Sequence, residues 1–544
     1  MPRYNGRSMP GITIDGKQFE FKQGQMILEV ANENDIEIPH YCYHPSLSIV
    51  ASCRICLAEV WAPNPRNDGK LEPMPKLLPT CKTPAGDGQV VYTTSPKATA
   101  NQKAVMEFYL NHHPIDCPIC DQAGECTLQD YAYEYGRGQR RCDIEKITQS
   151  KKDVGNHVML YGDRCIMCTL CVRFTSEITG TSELYIDGRD AGECIDVFPG
   201  KGINNELSAN VIDLCPVGAL LDKDFMFQQR VWLLQGSPSI DPITSSGDNI
   251  TIEYNNETIY RIKPRTNMDI NEYWITDEVR YGWKFVHDES RVTMPCVKGK
   301  QNSEESDNES VWETANETAV LGLQNASSIA LLISPMISCE DAWLLGNVIR
   351  SIDADAVIGI GPVPVEGEDK TFPSGFVVRS EKAPNVRGVT RALGGDSLSY
   401  DDWKKAAKKA GAVVVTGNYP KDWDTPSVKD SQFIVLIDTL ANKLTERADV
   451  ILPATTWAEK SGTFENCNNV LQLFEQAIRP IGASKSESQI AMDLQAKDDD
   501  SLSTTFNAAT VRHRMADAGI QGMLDVETPK DTKRLESDMP LLEV

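Results

Sequence analysis
The chain has 544 residues, 41% of them hydrophobic and 24% charged, with a net charge of −24 and a pI near 4.8. That length exceeds what one hydrophobic core supports and predicts roughly two to four domains. The acidity disfavours nucleic acid and direct docking on anionic lipid, and fits a soluble protein with, at most, a basic protein partner.

Met1 to Asp15 lacks the apolar core and small-residue cleavage site of a secretory signal. No window approaches the ~18 consecutive apolar residues of a membrane helix; the best, around Ile329–Ile337, is broken by Ser and Pro. A soluble, cytosolic chain is expected, with any membrane association coming through partners.

The first 95 residues predict a small β-rich unit. Ile12 and Ile14, then Phe19 and Phe21, alternate around Asp15-Gly16 as in a hairpin, and Ile27, Val30 and Ala31 follow at helical spacing. Residues 97–112 predict a helix with Val105, Phe108, Tyr109 and His112 on its packing face, stopped by Pro114. From there to about Lys223 the sequence is punctuated by cysteines and poor in apolar periodicity, so bound metal must supply folding energy. After about residue 230, apolar strands (Ile329–Ile333, Ala412–Val415, Phe433–Ile437) alternate with helical stretches (Cys339–Ile352, Asp401–Ala410), the pattern of a parallel sheet covered by helices. Beyond Lys485 the chain is polar, and part of it is expected to be mobile or laid along a partner.

Of the 16 cysteines, thirteen lie between Cys42 and Cys215; only Cys296, Cys339 and Cys467 lie beyond. Without an export signal, clustered cysteines read as metal ligands rather than disulfides. The first set, Cys42, Cys53, Cys56 and Cys81, has a loop ligand, a C-x2-C pair and a distant fourth cysteine, like a [2Fe–2S] ferredoxin. Its first gap is longer than in plant ferredoxins, the small residues beside Cys53 leave backbone N–H groups free to face sulfur, and a zinc site could use the same four thiols. His40 and His44 flank Cys42 and read as packing residues.

The second set is His113, Cys117, Cys120 and Cys126. Either His113 replaces one thiolate of a [4Fe–4S] site, which would raise its potential, or it ends the preceding helix and Cys142 is the fourth ligand. The third set, Cys165, Cys168 and Cys171 closed by Cys215-Pro216, carries the C-x2-C-x2-C signature of a [4Fe–4S] site; Cys194 alone cannot complete another quartet.

These three sets in this order resemble the large iron–sulfur subunit of bacterial NADH:quinone oxidoreductase, respiratory complex I. The resemblance is close over the first 225 residues and looser to about residue 480, where D438-T-L-A-N-K-L-T-E-R-A-D-V-I-L-P is similar to a molybdopterin-oxidoreductase-like domain. It implies [2Fe–2S] on Cys42, Cys53, Cys56 and Cys81, one [4Fe–4S] on His113, Cys117, Cys120 and Cys126, and another on Cys165, Cys168, Cys171 and Cys215.

The implied fold is multidomain α+β and α/β. A β-grasp [2Fe–2S] ferredoxin domain (1–95) comes first. Two [4Fe–4S] domains follow, one with a histidine and three cysteines (96–140) and one with four cysteines (141–229). A shortened, degenerate molybdopterin-oxidoreductase-like α/β domain (230–485) and a tail (486–544) complete the chain. The implied task is electron relay from a flavin- and NADH-binding subunit toward quinone-side iron–sulfur subunits, in the peripheral arm on the cytoplasmic side of the bacterial inner membrane.

No catalytic residue, NADH site, quinone site or molybdopterin is expected in this chain: G359-I-G-P-V-P-V-E-G has proline where a dinucleotide-binding helix would begin. The alternatives are the iron–sulfur subunit of a soluble NAD-linked hydrogenase or formate dehydrogenase, and a zinc-bound structural protein. Some relatives carry a further cluster on C-x2-C-x3-C and a cysteine 28 positions on. The matching positions here are Asp241, Thr244, Asp248 and Thr276, read as a lost site unless the register is chance; all four are expected to tolerate alanine.

Overall fold
The computed structural model describes residues 9–526 except 147, 190–191, 300–307 and 499–503. It contains two compact units. One is the chain up to Leu233 with Phe372–Gly375; the other is Leu234–Thr371 with the chain from Phe376 on.

In the first unit the strands Gly11–Ile14 and Lys17–Glu20 form the expected hairpin, with Ile12 opposite Phe19. Asp15 (φ 45°) and Gly16 (φ 83°) both take the left-handed conformation that a tight two-residue turn needs. Gly11–Ile14 also pairs in parallel with Val90–Tyr92, which pairs antiparallel with Leu57–Asn64. The helix Ile27–Glu33 buries Ile27, Leu28, Val30 and Ala31 against the apolar face of this sheet, the β-grasp arrangement.

The helix Pro96–His112 starts where Ser95 accepts the Ala98 N–H and Pro96 fills the first position. Its packing face differs from expectation. Ala98, Gln102 and Met106 are buried, whereas Phe108 is 63% exposed. Apolar spacing alone mistook an outward aromatic for a core residue, because Gln102 is buried by donating to the Thr93 carbonyl. Beyond this helix the elements are short: the sheet Lys151–Asp153, Val158–Tyr161, Leu220–Asp222, and the hairpin Leu184–Asp187, Cys194–Val197.

The second unit joins an antiparallel sheet (Gln235–Ile240, Asn249–Asn255, Thr258–Pro264) to a six-stranded sheet. The latter runs Cys296–Val297, Val450–Pro453, Phe433–Asp438, Ala412–Thr416, Ile329–Ile333, Val357–Ile360; all neighbours are parallel except the Cys296–Val297 edge. Central strands are buried on both faces, as their unbroken apolar runs dictate.

The strand order reverses between Ile329–Ile333 and Ala412–Thr416, where a doubly wound sheet ordinarily leaves a ligand crevice. Here the chain's own side chains occupy it. The Ser334 N–H donates to Thr416 Oγ1 (2.7 Å), and the Tyr419 hydroxyl donates to the Pro362 carbonyl (2.8 Å). The helix Cys339–Ile352 opens there with buried Glu340 and Asp341 in its first turn. Glu340 accepts from Thr463 and Arg512, and Asp341 accepts from Ser338, Ser488 and Lys460. Carboxylates thus take the place a phosphate would occupy.

The segment after Lys485 is more structured than its composition suggests. The helix Glu487–Asp498 buries Ile490, Ala491 and Leu494 in the main core, and Ala508–Asp517 adds Val511 and Met515. The acidic run ending at Asp500 masked that apolar stripe. The remainder of the tail, 527–544, lies outside the described residues.

Candidate iron–sulfur sites
The first set closes into one buried group. Cys42 and Cys53 Sγ are 3.5 Å apart, as are Cys56 and Cys81 at 3.6 Å, and all four side chains are at most 6% exposed. The helix-to-strand connection brings Cys42, Cys53 and Cys56 in, and the turn after Leu78–Pro79 brings Cys81. Ala51 (φ 53°) and Arg54 (φ 59°) bracket Cys53 in the left-handed region, and the Cys53 N–H faces Cys42 Sγ. Their shared hydrogen bond lowers Cys42 to about 5 while that bond and burial push Cys53 up; Cys56 is lowered to about 7 in the same way by Cys81.

In the second set, Cys117 opens a short 3-10 turn after the helix end, and Cys120 and Cys126 are buried on either side of Gly124 (φ 95°). Burial pushes Cys126 up to about 12 and holds the His113 imidazole below its usual range, near Asp116 and Arg164. His113 Nδ1 is buried and has no hydrogen-bond partner. Cys142 instead turns its thiol to Asn111 Oδ1 at 3.3 Å. A cradle is visible at Gly218, where an added Cβ would lie 2.2 Å from Cys120 Sγ. His112 also has an unpartnered Nδ1 and packs edge-on to Phe108.

The third set lines one apolar cavity. Cys165, Cys168, Cys171 and Cys215 share it with Leu160, Ile166, Ile195 and Leu220. Desolvation raises all four thiols, Cys165 to about 12, so bare thiolates are costly here and a bound cation would relieve that cost. Met167 (φ 52°) and Thr169 (φ 61°) hold the loop in left-handed turns; the Met167 N–H points at Cys165 Sγ (3.3 Å), and backbone N–H groups of Val217, Ala219 and Leu220 face Cys215. Cys194 lies on its hairpin beside Asp187 and Asp196, outside the cavity lining but within electrostatic reach of Cys165.

Sequence reasoning missed what lies between the sets. Tyr41 meets Tyr109 edge-on and Tyr131 at a tilt, each with ring centroids 5.3 Å away. It lies within electrostatic reach of Cys53 and Cys126, while Tyr109 is within reach of Cys42, Cys53 and Cys168. Two buried arginines, Arg164 and Arg173, abut the ligand loops. Their only signal in the sequence was position, immediately before Cys165 and two residues after Cys171.

Of the expected fourth-site positions, Asp241, Thr244 and Asp248 lie together. Asp241 is fully buried and accepts the Ile243 N–H (2.7 Å), the Thr244 N–H and the Thr244 and Ser246 hydroxyls. Thr276 instead caps the helix Asp277–Tyr281. Burial raises both carboxylic acids, and proximity to Asp241 raises Asp248 further.

Five family descriptions match along the chain, in chain order. They are "2Fe-2S iron-sulfur cluster binding domain" (8–96), "NADH-ubiquinone oxidoreductase-G iron-sulfur binding region" (102–141) and "NADH-quinone oxidoreductase subunit 3, ferredoxin-like domain" (155–221). "NADH-ubiquinone oxidoreductase NDSU1/NuoG-like, 4Fe-4S domain" (234–284) and "Molybdopterin oxidoreductase" (379–497) complete the series. The G subunit of NADH-quinone oxidoreductase from Rickettsia conorii is 28% identical over 89% of this chain and 87% of its own length. The chain belongs to the family of large iron–sulfur subunits of NADH:quinone oxidoreductase.

Its 2Fe–2S, 4Fe–4S and molybdopterin-oxidoreductase domains are those of that family. The 75 kDa subunit of Reclinomonas americana is 36% identical over 66% of this chain and 50% of its own length, so this match spans half of that relative. A chain of an NAD+-reducing [NiFe]-hydrogenase, 29% identical, covers 41% of this chain and 92% of its own at a TM-score of 0.36, too low to bear on function. The stretch matched by the NDSU1/NuoG-like 4Fe–4S description contains no cysteine. Among the described residues no helix is long and apolar enough to cross a membrane.

Proposed function
We propose that this chain is the electron-relaying subunit of an NADH:quinone oxidoreductase. It holds [2Fe–2S] on Cys42, Cys53, Cys56 and Cys81, [4Fe–4S] on His113, Cys117, Cys120 and Cys126, and [4Fe–4S] on Cys165, Cys168, Cys171 and Cys215. The observation that carries this reading is the gathering of three ligand sets, in one unit, around the Tyr41–Tyr109–Tyr131 trio. Closely spaced centres in a dry aromatic setting suit one-electron passage, which falls steeply with distance. The clusters, when bound, supply the redox chemistry; the chain's residues set their spacing, exclude water and aim N–H groups at sulfur.

Electrons enter from a flavin- and NADH-binding subunit and leave toward quinone-side iron–sulfur subunits, in the arm facing the bacterial cytoplasm. The ligand domains occupy 1–95, 96–140 and 141–229. From 230 a molybdopterin-oxidoreductase-like scaffold follows, its crevice occupied by Glu340 and Asp341, and it extends through the helices after Lys485. Asp241, Thr244, Asp248 and Thr276 mark a lost cluster site. The Asp241 carboxylate supports this, because it supplies the negative acceptor for loop N–H groups that cluster sulfurs would otherwise provide.

Anaerobic purification with co-migrating partners tests the reading. About ten iron atoms per chain with matching sulfide are expected, alongside flavin-binding and quinone-side subunits. Stoichiometric zinc, or a hydrogenase as the sole partner, overturns it. His113→Cys should keep its four-iron centre at a lower potential in a redox titration followed by electron paramagnetic resonance; if Cys142→Ala destroys that centre instead, His113 is not the ligand.

A further inference from the structure
The short helix that carries Cys171 ends at Arg173, only 7% exposed, and runs on into the π-helical turn Phe174–Ile178. The Arg173 guanidinium donates from Nη1 to the Ser48 carbonyl (2.6 Å), and from Nη2 to the carbonyls of both Cys42 (2.8 Å) and Cys168 (3.2 Å). Cys42 belongs to the first ligand set and Cys168 to the third, so one cation clamps the two loops together. Glu177, on the π-turn, ties the same loop by accepting from the Ser48 N–H and hydroxyl.

Among the described residues no carboxylate forms an ion pair with Arg173; its partners are neutral carbonyls and, more distantly, Thr169 Oγ1 (3.4 Å). A buried guanidinium without a counter-charge is strongly unfavourable, because its lost hydration is not repaid. Clusters held by four thiolates each are net anionic, and this cation touches a ligand residue of two such sites.

We propose that Arg173 is the shared counter-cation of the [2Fe–2S] site and the all-cysteine [4Fe–4S] site, setting the potentials of both together. This rests on the cluster assignment above. Reduction adds one electron to a cluster, so a fixed positive charge favours the reduced form of each neighbour. A single guanidinium between two sites therefore raises both potentials together. Arg173 donates to the carbonyls of the ligand loops, so its charge acts on both centres from beside them and it takes no part in the transfer itself.

The test uses the full chain with its co-purifying subunits, comparing wild type, Arg173→Lys and Arg173→Met by iron content and by redox titration with paramagnetic resonance. In Arg173→Met the signals of both the [2Fe–2S] centre and the all-cysteine [4Fe–4S] centre should titrate at lower potential, while the centre at His113 moves less; Arg173→Lys should recover most of the shift. Full iron content with both potentials unmoved, or with one moved alone, overturns the proposal. Should the Met variant shed iron, Arg173→Gln, neutral but still a hydrogen-bond donor, decides: a joint downward shift supports the role, and unmoved potentials overturn it. Zinc in the wild type would overturn the cluster assignment itself, whereas normal iron with unmoved potentials would overturn only the part given to Arg173.

Discussion
Between Cys117 and Cys215 the described residues of the first unit form no long strand or helix; buried thiols and two buried arginines sit among short turns and scattered aliphatic residues such as Val158, Leu160 and Val211. The second unit is centred on strands such as Ile329–Ile333 and Phe433–Asp438, whose aliphatic side chains interlock with helices on both faces. On the proposed cluster assignment, one interior is completed by what it binds, and the other is complete in itself. Buried thiols pushed upward, an imidazole nitrogen without a partner and a buried guanidinium without a carboxylate all await charge from outside the polypeptide. In the second unit even the buried ions, Lys460 with Asp341 and Glu487, find their partners within the chain.

The largest effect that could break this contrast is iron removal. Stripping iron from the full chain should abolish amide-exchange protection over Cys117–Cys215 and leave the parallel sheet protected. Joint loss of both would show that the second unit also depends on the clusters. Next, Gly218→Ala should eliminate the centre at Cys120 and with it about four iron atoms, because the new Cβ meets Cys120 Sγ at 2.2 Å. Retention of that centre would mean that the cradle yields more readily than so close an approach implies.

In the second unit, Leu331→Ala should cost about 2–5 kcal/mol in denaturant unfolding with iron content unchanged, since Leu331 is completely buried. Smaller still is the effect of the carboxylate pair. Asp241→Ala should lose about 1–3 kcal/mol by orphaning the loop N–H groups, while iron stays constant. That sharpens the expectation that all four positions tolerate alanine: iron should be indifferent, stability should not.

Asp241 is raised from 3.8 to about 6 and Asp248 further, both chiefly by burial. Their folded forms bind protons more tightly than the unfolded chain. The resulting stability is therefore fully present below about pH 4 and is lost as pH rises through 6. Asp248→Asn should flatten that slope and gain stability near neutrality; an unchanged slope in a pH series of melts would remove Asp248 from the account.

Local chemistry decided what could be read in advance. Asp15-Gly16 specifies its hairpin, and strands such as Ala412–Thr416 announce themselves as unbroken apolar runs. Cysteine spacing likewise picked out sets that the fold brings together. Long-range contacts escaped: Arg173 looks like any surface arginine until residues more than a hundred positions away fold against it. Phe108 misled because its periodicity fits the helix, while burial there follows the neighbours of Gln102. The helix Glu487–Asp498 hid behind its charges.

Ala51, Arg54, Met167 and Thr169 are left-handed residues without the freedom of glycine, and each such turn costs roughly 1–2 kcal/mol. A metal-filled loop can sustain that tension; an empty one has every reason to relax. Loss of a cluster would then resemble a released spring more than an emptied cup: the loop recoils, its thiols scatter, and simply restoring iron no longer refills the site. Damage at these loops would be remembered by the backbone, and repair would have to rewind the turns before metal could return.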